Sequence, residues 1–308
     1  MVPLVVRSHY SLRWGTAGVR RLCRHARNLG YRRLALTDTD NLYGLWPFLE
    51  SCRREGLTPI VGAEVTDGVP TGGGKVSRRR VACLVENATG YANLCRLLTR
   101  RHQSDRFRIA AELPRFSQGL VVLTSSTDLL WHLRAAQVCV AAAMPRRPLS
   151  RQHPLCRSAR RLEAPLVAVP GSFFLEPGAF AVHRMLRAID QNRAFSRLGP
   201  EEMAPRDAWL AAPGDYARRF AVCPQTLRAS EEIAERLAFR GPEFGLVMPP
   251  WQSPDGRSAA QWLRYDALRG AHRRYGRNLP ARVKARLAHE LEIINRMHFA
   301  AYFLVVRD

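Results

Sequence analysis

Through about residue 169, short aliphatic runs alternate with longer stretches of helical periodicity. Strand-length runs occur at residues 4–6, 34–37, 59–61, 81–85, 120–124 and 166–169. Between the first two, Val19, Leu22, Ala26 and Leu29 fall on one helical face, and Gly30 follows as a C-terminal cap. Leu45, Phe48, Leu49 and Cys52 repeat the pattern before Gly56. Such alternation predicts parallel strands joined by crossover helices, in an α/β barrel or a doubly wound sheet.

Past Glu176 the pattern becomes mainly helical, with helices expected at 180–189, 201–203, 215–220 and 224–237. The proline-rich stretch around 241–257 reads as a linker, which divides the chain into a domain at 1–240 and a helical segment at 258–308. Within that segment, helices are expected at 258–275 and 280–297. Val283, Leu287, Leu291 and Ile294 form an apolar stripe on the second, and with Phe303 they make the expected partner interface. Residues 290–308 read as an amphipathic helix running into an aromatic and aliphatic strand that stops at Asp308, as the front end of something larger would.

Composition adds a partner question. The chain has 308 residues, 46% of them hydrophobic, enough for a full core, and a formal net charge of +22. Its only lysines are Lys75 and Lys284, so the surplus is arginine. Arginine suits phosphate recognition, and a GC-rich genome would impose the same bias through its codons; both readings stay open. Arg78, Arg79, Arg100 and Arg101 are the nucleic-acid contact candidates. The seven cysteines show no CxxC pair and sit mostly in apolar runs, as reduced core residues of a cytoplasmic protein do. Neither a signal-peptide layout nor a membrane-length apolar run is present.

Weak motifs are set aside by their spacing. Residues 67–80 read as a glycine-rich, basic loop or hairpin bridging two strands; their GGGK lacks the spaced glycines and the Ser or Thr of a P-loop, and a surface turn is expected. Asp38 and Asp40 suit a strand-end turn capping the helix from Leu42. Residues 144–152 are expected to be a polar connection. The histidines carry no HxH or HExxH spacing and read as surface or packed side chains.

Three stretches resemble one family. SHYSLRWGTAGVRRLC…ALTDTDN…PIVGAEV at 8–65, VACLVENATGYANLCRLLT at 81–99, and APLVAVPGSFFLEPGAFAVHRMLRAI at 164–189 with GPEEM and the terminal ELEIINRMHFAAYFLV follow in order. Together they are similar to the PHP (polymerase and histidinol phosphatase) domain of bacterial DNA polymerase III alpha subunits and their error-prone relatives. The resemblance implies a distorted (β/α)7 barrel followed by a mainly helical extension. It also implies a site at the strand ends where divalent metals such as Zn, Mn or Mg activate water against a phosphate ester.

Laid on this sequence, the family's ligand positions fall on Val5 and Arg7 (the HxH pair), Trp14, Thr39, Arg80, Ser126, Gly171 and Phe173. Only the glutamate survives, as Glu64. No metal and no catalytic residue is therefore expected; Glu64, Asp38 and His9 are the residual candidates, and an internal salt bridge of Arg7 or Arg80 with Glu64 or Asp38 is anticipated. The palm aspartates of family polymerases lie beyond the segment ending here, so no nucleotidyl transfer is expected of this chain alone. The implied role is a silent scaffold in DNA replication or repair synthesis. Its implied partners are a palm-and-fingers polypeptide, other replisome subunits, a proofreading exonuclease or DNA. The alternatives are a residual metal-dependent phosphoesterase or exonuclease and a stand-alone nucleic-acid binder.

Overall fold

The computed structural model describes residues 1–70, 76–243, 250–253 and 255–307. The chain divides into two compact units, Met1–Pro242 and Glu243–Asp308.

In the first unit a six-stranded sheet runs in the order β1 (Arg33–Thr39), β2 (Thr58–Pro70), β3 (Val76–Val85), β4 (Leu120–Thr124), β5 (Val140–Pro145) and β6 (Leu166–Val169). β1 and β2 pair in parallel, as do β4 with β5 and β5 with β6. β3 lies antiparallel to both its neighbours, an inversion the alternating pattern did not predict. The run at 4–6 makes an isolated bridge rather than a full strand, yet it joins the two edges of the sheet. Thr37 N donates to Val6 O at 2.8 Å on one side, and Ser172 N donates to Val5 O and Arg7 N to Ser172 O, both at 3.1 Å, on the other. A distorted α/β barrel results.

Outside it pack α1 (Val19–Asn28), α2 (Leu45–Glu55), α3 (Ala88–Gln103), the single turn α4 (Ile109–Glu112), α5 (Thr127–Ala135) and α6 (Pro154–Arg161). Gly30 and Gly56 take φ of +86° and +65°, the left-handed conformation that ends α1 and α2 and that glycine adopts without a Cβ clash. After the barrel come α7 (Phe180–Gln191), α8 (Pro213–Arg219) and α9 (Gln225–Arg236).

The period of two along the strands sets the barrel interior. Ala35, Ile60, Leu84, Val121, Ala141 and Val167 face one another inside it, and Ile233, Ala234 and Leu237 from α9 and the residue that follows pack into the same cluster. The opposite faces of the strands bury against the outer helices.

Several expectations are corrected. β5 was not anticipated, because its alanines carry helical rather than strand propensity and only the neighbouring strands hold them extended. Of the two readings of 67–80, loop or hairpin, the hairpin agrees with the structure, since β2 reaches Pro70 and pairs antiparallel with β3 from Val76; GGG and Lys75 lie outside the described residues. Cys23, Cys52, Cys83 and Cys156 are buried as expected, while Cys95 and Cys223 are half-buried and Cys139 is exposed.

The second unit holds α10 (Ala259–Tyr275), α11 (Ala281–Arg296) and α12 (Ala300–Arg307). The terminal aromatic segment, expected as a strand, is thus a helix. Among the described residues this unit has no strand to pair with, and a helix satisfies its backbone groups internally. Leu304 is fully buried, and Arg307 reaches Asp266 of α10 at 2.8 Å. On the expected docking stripe, Leu291 is buried and Val283, Leu287 and Ile294 are half-buried. Phe303 remains 47% exposed.

Candidate functional site: an arginine-lined pocket at the barrel mouth

At the C-terminal ends of the parallel strands the interior opens into a cavity of about 250 Å³. Val5, Ala82, Leu123, Ala143 and Val169 continue the apolar interior as its wall. Above them stand the polar residues Arg7, Glu64, Arg80 and Arg146, three guanidiniums to one carboxylate.

Glu64 lies on β2 and is 3% exposed; Arg7, on the segment that bridges the sheet edges, is 5% exposed. They form a bidentate pair: Nη2 of Arg7 donates to Oε1, and Nε donates to Oε2 at 3.2 Å. Thr39, at the end of β1, donates its hydroxyl to Oε2 at 3.0 Å, and Arg80 of β3 comes within 3.5 Å of the same oxygen. Burial by itself would raise the Glu64 carboxyl, but the charges of Arg7 and Arg80 outweigh it and hold the group below its ordinary value. Glu64 is therefore ionised and has its lone pairs directed at protein donors.

The remaining inherited positions are also occupied by packing. Phe173 lies under the Arg7 guanidinium, with the carbon 4.1 Å from the ring centroid, and Trp14 carries Arg187 at 3.8 Å. Trp14 and Phe173 also surround His183, which is fully buried. His183 donates from Nδ1 to Trp14 O and accepts from Ala204 N at Nε2, both at 2.7 Å, which fixes a neutral tautomer. Burial accordingly lowers its pKa, and the nearby Arg187 adds to the effect. Ser126 caps α5 by accepting from Leu129 N at 3.3 Å.

Of the residual catalytic candidates, only Glu64 lines the cavity. Asp38, 2% exposed, accepts from Ser8 N at 2.7 Å and from the hydroxyls of Ser8 and Ser11 at 2.8 and 2.6 Å, and so pins the turn at 8–11. The anticipated pairing of an arginine with Glu64 is present; Asp38 is held by hydroxyls and an amide instead. His9 is exposed, its ring against Tyr10. The expected capping of a helix by Asp38 and Asp40 is not found. α2 begins after Gly44 with no side-chain cap, and Asp40 instead receives Thr66 N at 2.8 Å and the Thr66 hydroxyl at 2.6 Å.

Three of the four nucleic-acid candidates pair within the chain. Arg79 pairs with Asp67 at 3.1 Å and Asp128 at 2.9 Å, Arg100 with Glu112 at 3.5 Å, and Arg101 with Asp40 at 3.5 Å. The side chain of Arg78 lies outside the described residues. Arg146 was missed in the sequence because β5 was missed. It sits one residue past that strand, with φ +54°, where strand-end residues reach a barrel mouth.

Residues 3–176 match the PHP domain family. The chain belongs to that family. Residues 261–308 match a second family, described as the bacterial DNA polymerase III alpha NTPase domain. The error-prone DNA polymerase of Mycobacterium tuberculosis (strain H37Rv) is 29% identical over 98% of this chain, and DNA polymerase III subunit alpha of Bacillus subtilis is 28% identical over 100% of it. The chain spans about 30% of the length of the curated relatives it matches. Among solved structures, a metal-dependent phosphoesterase from Bifidobacterium adolescentis aligns over 56% of this chain and 87% of its own at 17% identity, with a TM-score of 0.38.

A divalent centre is what a PHP domain implies, and the residues at this mouth do not fit one. Among the described residues no group of three His, Cys, Asp or Glu side chains converges on a point. The one carboxylate present is saturated by fixed cations that would repel a metal ion.

Proposed function

We propose that this PHP domain serves a polymerase III alpha type protein as a structural brace in DNA replication or repair synthesis and performs no phosphoester chemistry itself. One observation carries the reading: the single surviving ligand-type residue, Glu64, is locked by Arg7, Arg80 and Thr39 in an internal network. A carboxylate held this way bridges three elements, the segment at 3–7, β1 and β2, with β3 reached through Arg80. The inherited catalytic position has become a fastening of the barrel. The family match at 261–308 supports placement of the chain beside the remaining parts of such a polymerase, and a polypeptide carrying palm and fingers is the partner proposed.

Elemental analysis of the purified protein, with a p-nitrophenyl phosphate assay in Mn²⁺, Mg²⁺ and Zn²⁺, tests the reading. Metal well below one equivalent and no turnover are expected, together with co-purification with a palm-containing polypeptide. Stoichiometric metal with turnover abolished by Glu64→Ala would overturn it.

A further inference from the structure

On the outside of the barrel, sulfur meets sulfur where α1 packs on α2. Cys23 of α1 and Cys52 of α2 are both 0% exposed, in the cluster that also holds Leu22, Ala26 and Phe48, and their Sγ atoms stand 3.9 Å apart. A disulfide needs about 2.05 Å, so each sulfur must travel about 1 Å, a displacement that rotation about χ1 supplies while the helices stay packed. The two helices are also tied beside this contact, where Arg24 reaches Glu55 at 3.6 Å.

The other thiols have different surroundings. Cys83 is as buried but packs among aliphatic side chains, Cys223 faces the thioether of Met144 at 3.9 Å, and Cys139 is exposed beside Arg236. The Cys52 thiol is pushed above its ordinary value by its hydrogen bond to Cys23 and by burial, so it keeps its proton at neutral pH. Burial also excludes bulky and charged reagents from the pair; a small neutral oxidant reaches it through local opening of the outer helices.

We propose that Cys23 and Cys52 are a reversible oxidation site, which hydrogen peroxide converts to an intrachain disulfide joining α1 to α2. In the first step one sulfur attacks the peroxide and takes an oxygen atom as the O–O bond breaks, which gives a sulfenic acid and releases water. In the second the neighbouring sulfur attacks the oxidised one. The S–S bond forms as the S–O bond breaks, and the hydroxyl leaves with the second thiol's proton as another water. Two thiols are oxidised and one peroxide is reduced, giving one disulfide and two waters. The neighbour at 3.9 Å intercepts the sulfenic acid before it is oxidised further. The bond closes a loop spanning 29 positions around β1, the strand that carries Asp38 and Thr39, and so removes freedom from the unfolded chain. The site goes beyond the bracing role, which stands in either state of the sulfurs.

Peptide mapping by mass spectrometry tests the proposal on the whole, unmutated chain. The chain is reduced, freed of reductant, exposed under native conditions to hydrogen peroxide with a chelator present, then unfolded and alkylated. One Cys23–Cys52 cross-link per chain is expected, reversed by dithiothreitol, with Cys83 recovered alkylated. The oxidised chain should melt about 4 °C or more above the reduced one. Cys23→Ala and Cys52→Ala should each lose that rise, and Cys139→Ser, which removes the exposed thiol, should keep both the link and the rise. The proposal falls if Cys23 and Cys52 are recovered alkylated at peroxide concentrations that oxidise Cys139, or if they are recovered joined to other cysteines or as sulfinic acids. It falls also if the linked chain melts no higher than the reduced one, which would show that the bond forms only after the helices part.

Discussion

Glu64→Gln is the sharpest probe of the fastening, because it keeps the shape of the side chain and removes only its charge. In the parent, Arg7 is 5% exposed and its one carboxylate partner is Glu64. Withdrawing one member of a buried pair leaves a charge in low dielectric and costs about 3–5 kcal/mol. The amide still accepts hydrogen bonds, which places the expectation near 3. For a unit of this size each kcal/mol moves the melting midpoint by about 2–4 °C, so the midpoint should drop by at least about 6 °C. Arg80→Ala removes a pair that is 39% exposed on the arginine side and should cost below about 1 kcal/mol. The combined Arg7→Met, Glu64→Leu variant, which removes both charges, should lie closer to the parent than Glu64→Gln does.

Thermal melting gives the midpoints and urea unfolding followed by tryptophan fluorescence the free energies, at pH 7 and at points down to pH 3. The carboxyl is held below its ordinary pKa, so its stabilisation is present above about pH 4.3, the unfolded value, and is lost as pH falls through the folded one. The gap between parent and Glu64→Gln should therefore narrow below about pH 4. A midpoint that stays put or rises in Glu64→Gln would refute the reasoning, since a residue kept for ligand binding is released from strain when it is neutralised.

Two further outcomes are expected. His183 is neutral and its pKa is lowered, so its contribution is complete above about pH 6.5 and declines as pH falls from there through its folded value. Melting midpoints between pH 7 and 5 should fall more steeply in the parent than in His183→Phe; equal slopes would remove His183 as the cause. Arg79 is held by Asp67, whose side chain is fully buried, and by Asp128, so Arg79→Ala should lower thermal stability and leave the salt dependence of any DNA affinity unchanged. A loss of DNA affinity with unaltered melting would reverse that assignment.

Much of the barrel was legible in the residues. The aliphatic runs, the helical spacing of α1 and α2 and their glycine caps are local signals, set by side-chain periodicity and backbone sterics. That Val5, Arg7, Trp14, Arg80 and Phe173 stand where the family resemblance expects ligands could likewise be read from the residues, because apolar and guanidinium side chains are poor metal ligands in any fold. The inverted β3 was open in the sequence only as the hairpin alternative at 67–80, as strand direction depends on which neighbour supplies hydrogen bonds. β5 was hidden by alanines, and with it Arg146. The terminal segment read as a strand on propensity, yet with no strand among the described residues of its unit it winds into α12.

The sequence by itself thus determined the barrel's aliphatic runs and led to the expectation of one carboxylate, Glu64, where the family resemblance implies a cluster. Only the tertiary structure decided what that carboxylate does: β1, β2, β3 and the segment at 3–7 converge at one mouth, where Arg7 closes on Glu64 and Arg146 arrives with a donor unused. Pairing across 57 positions of chain depends on the barrel being closed, and no local pattern encodes that distance.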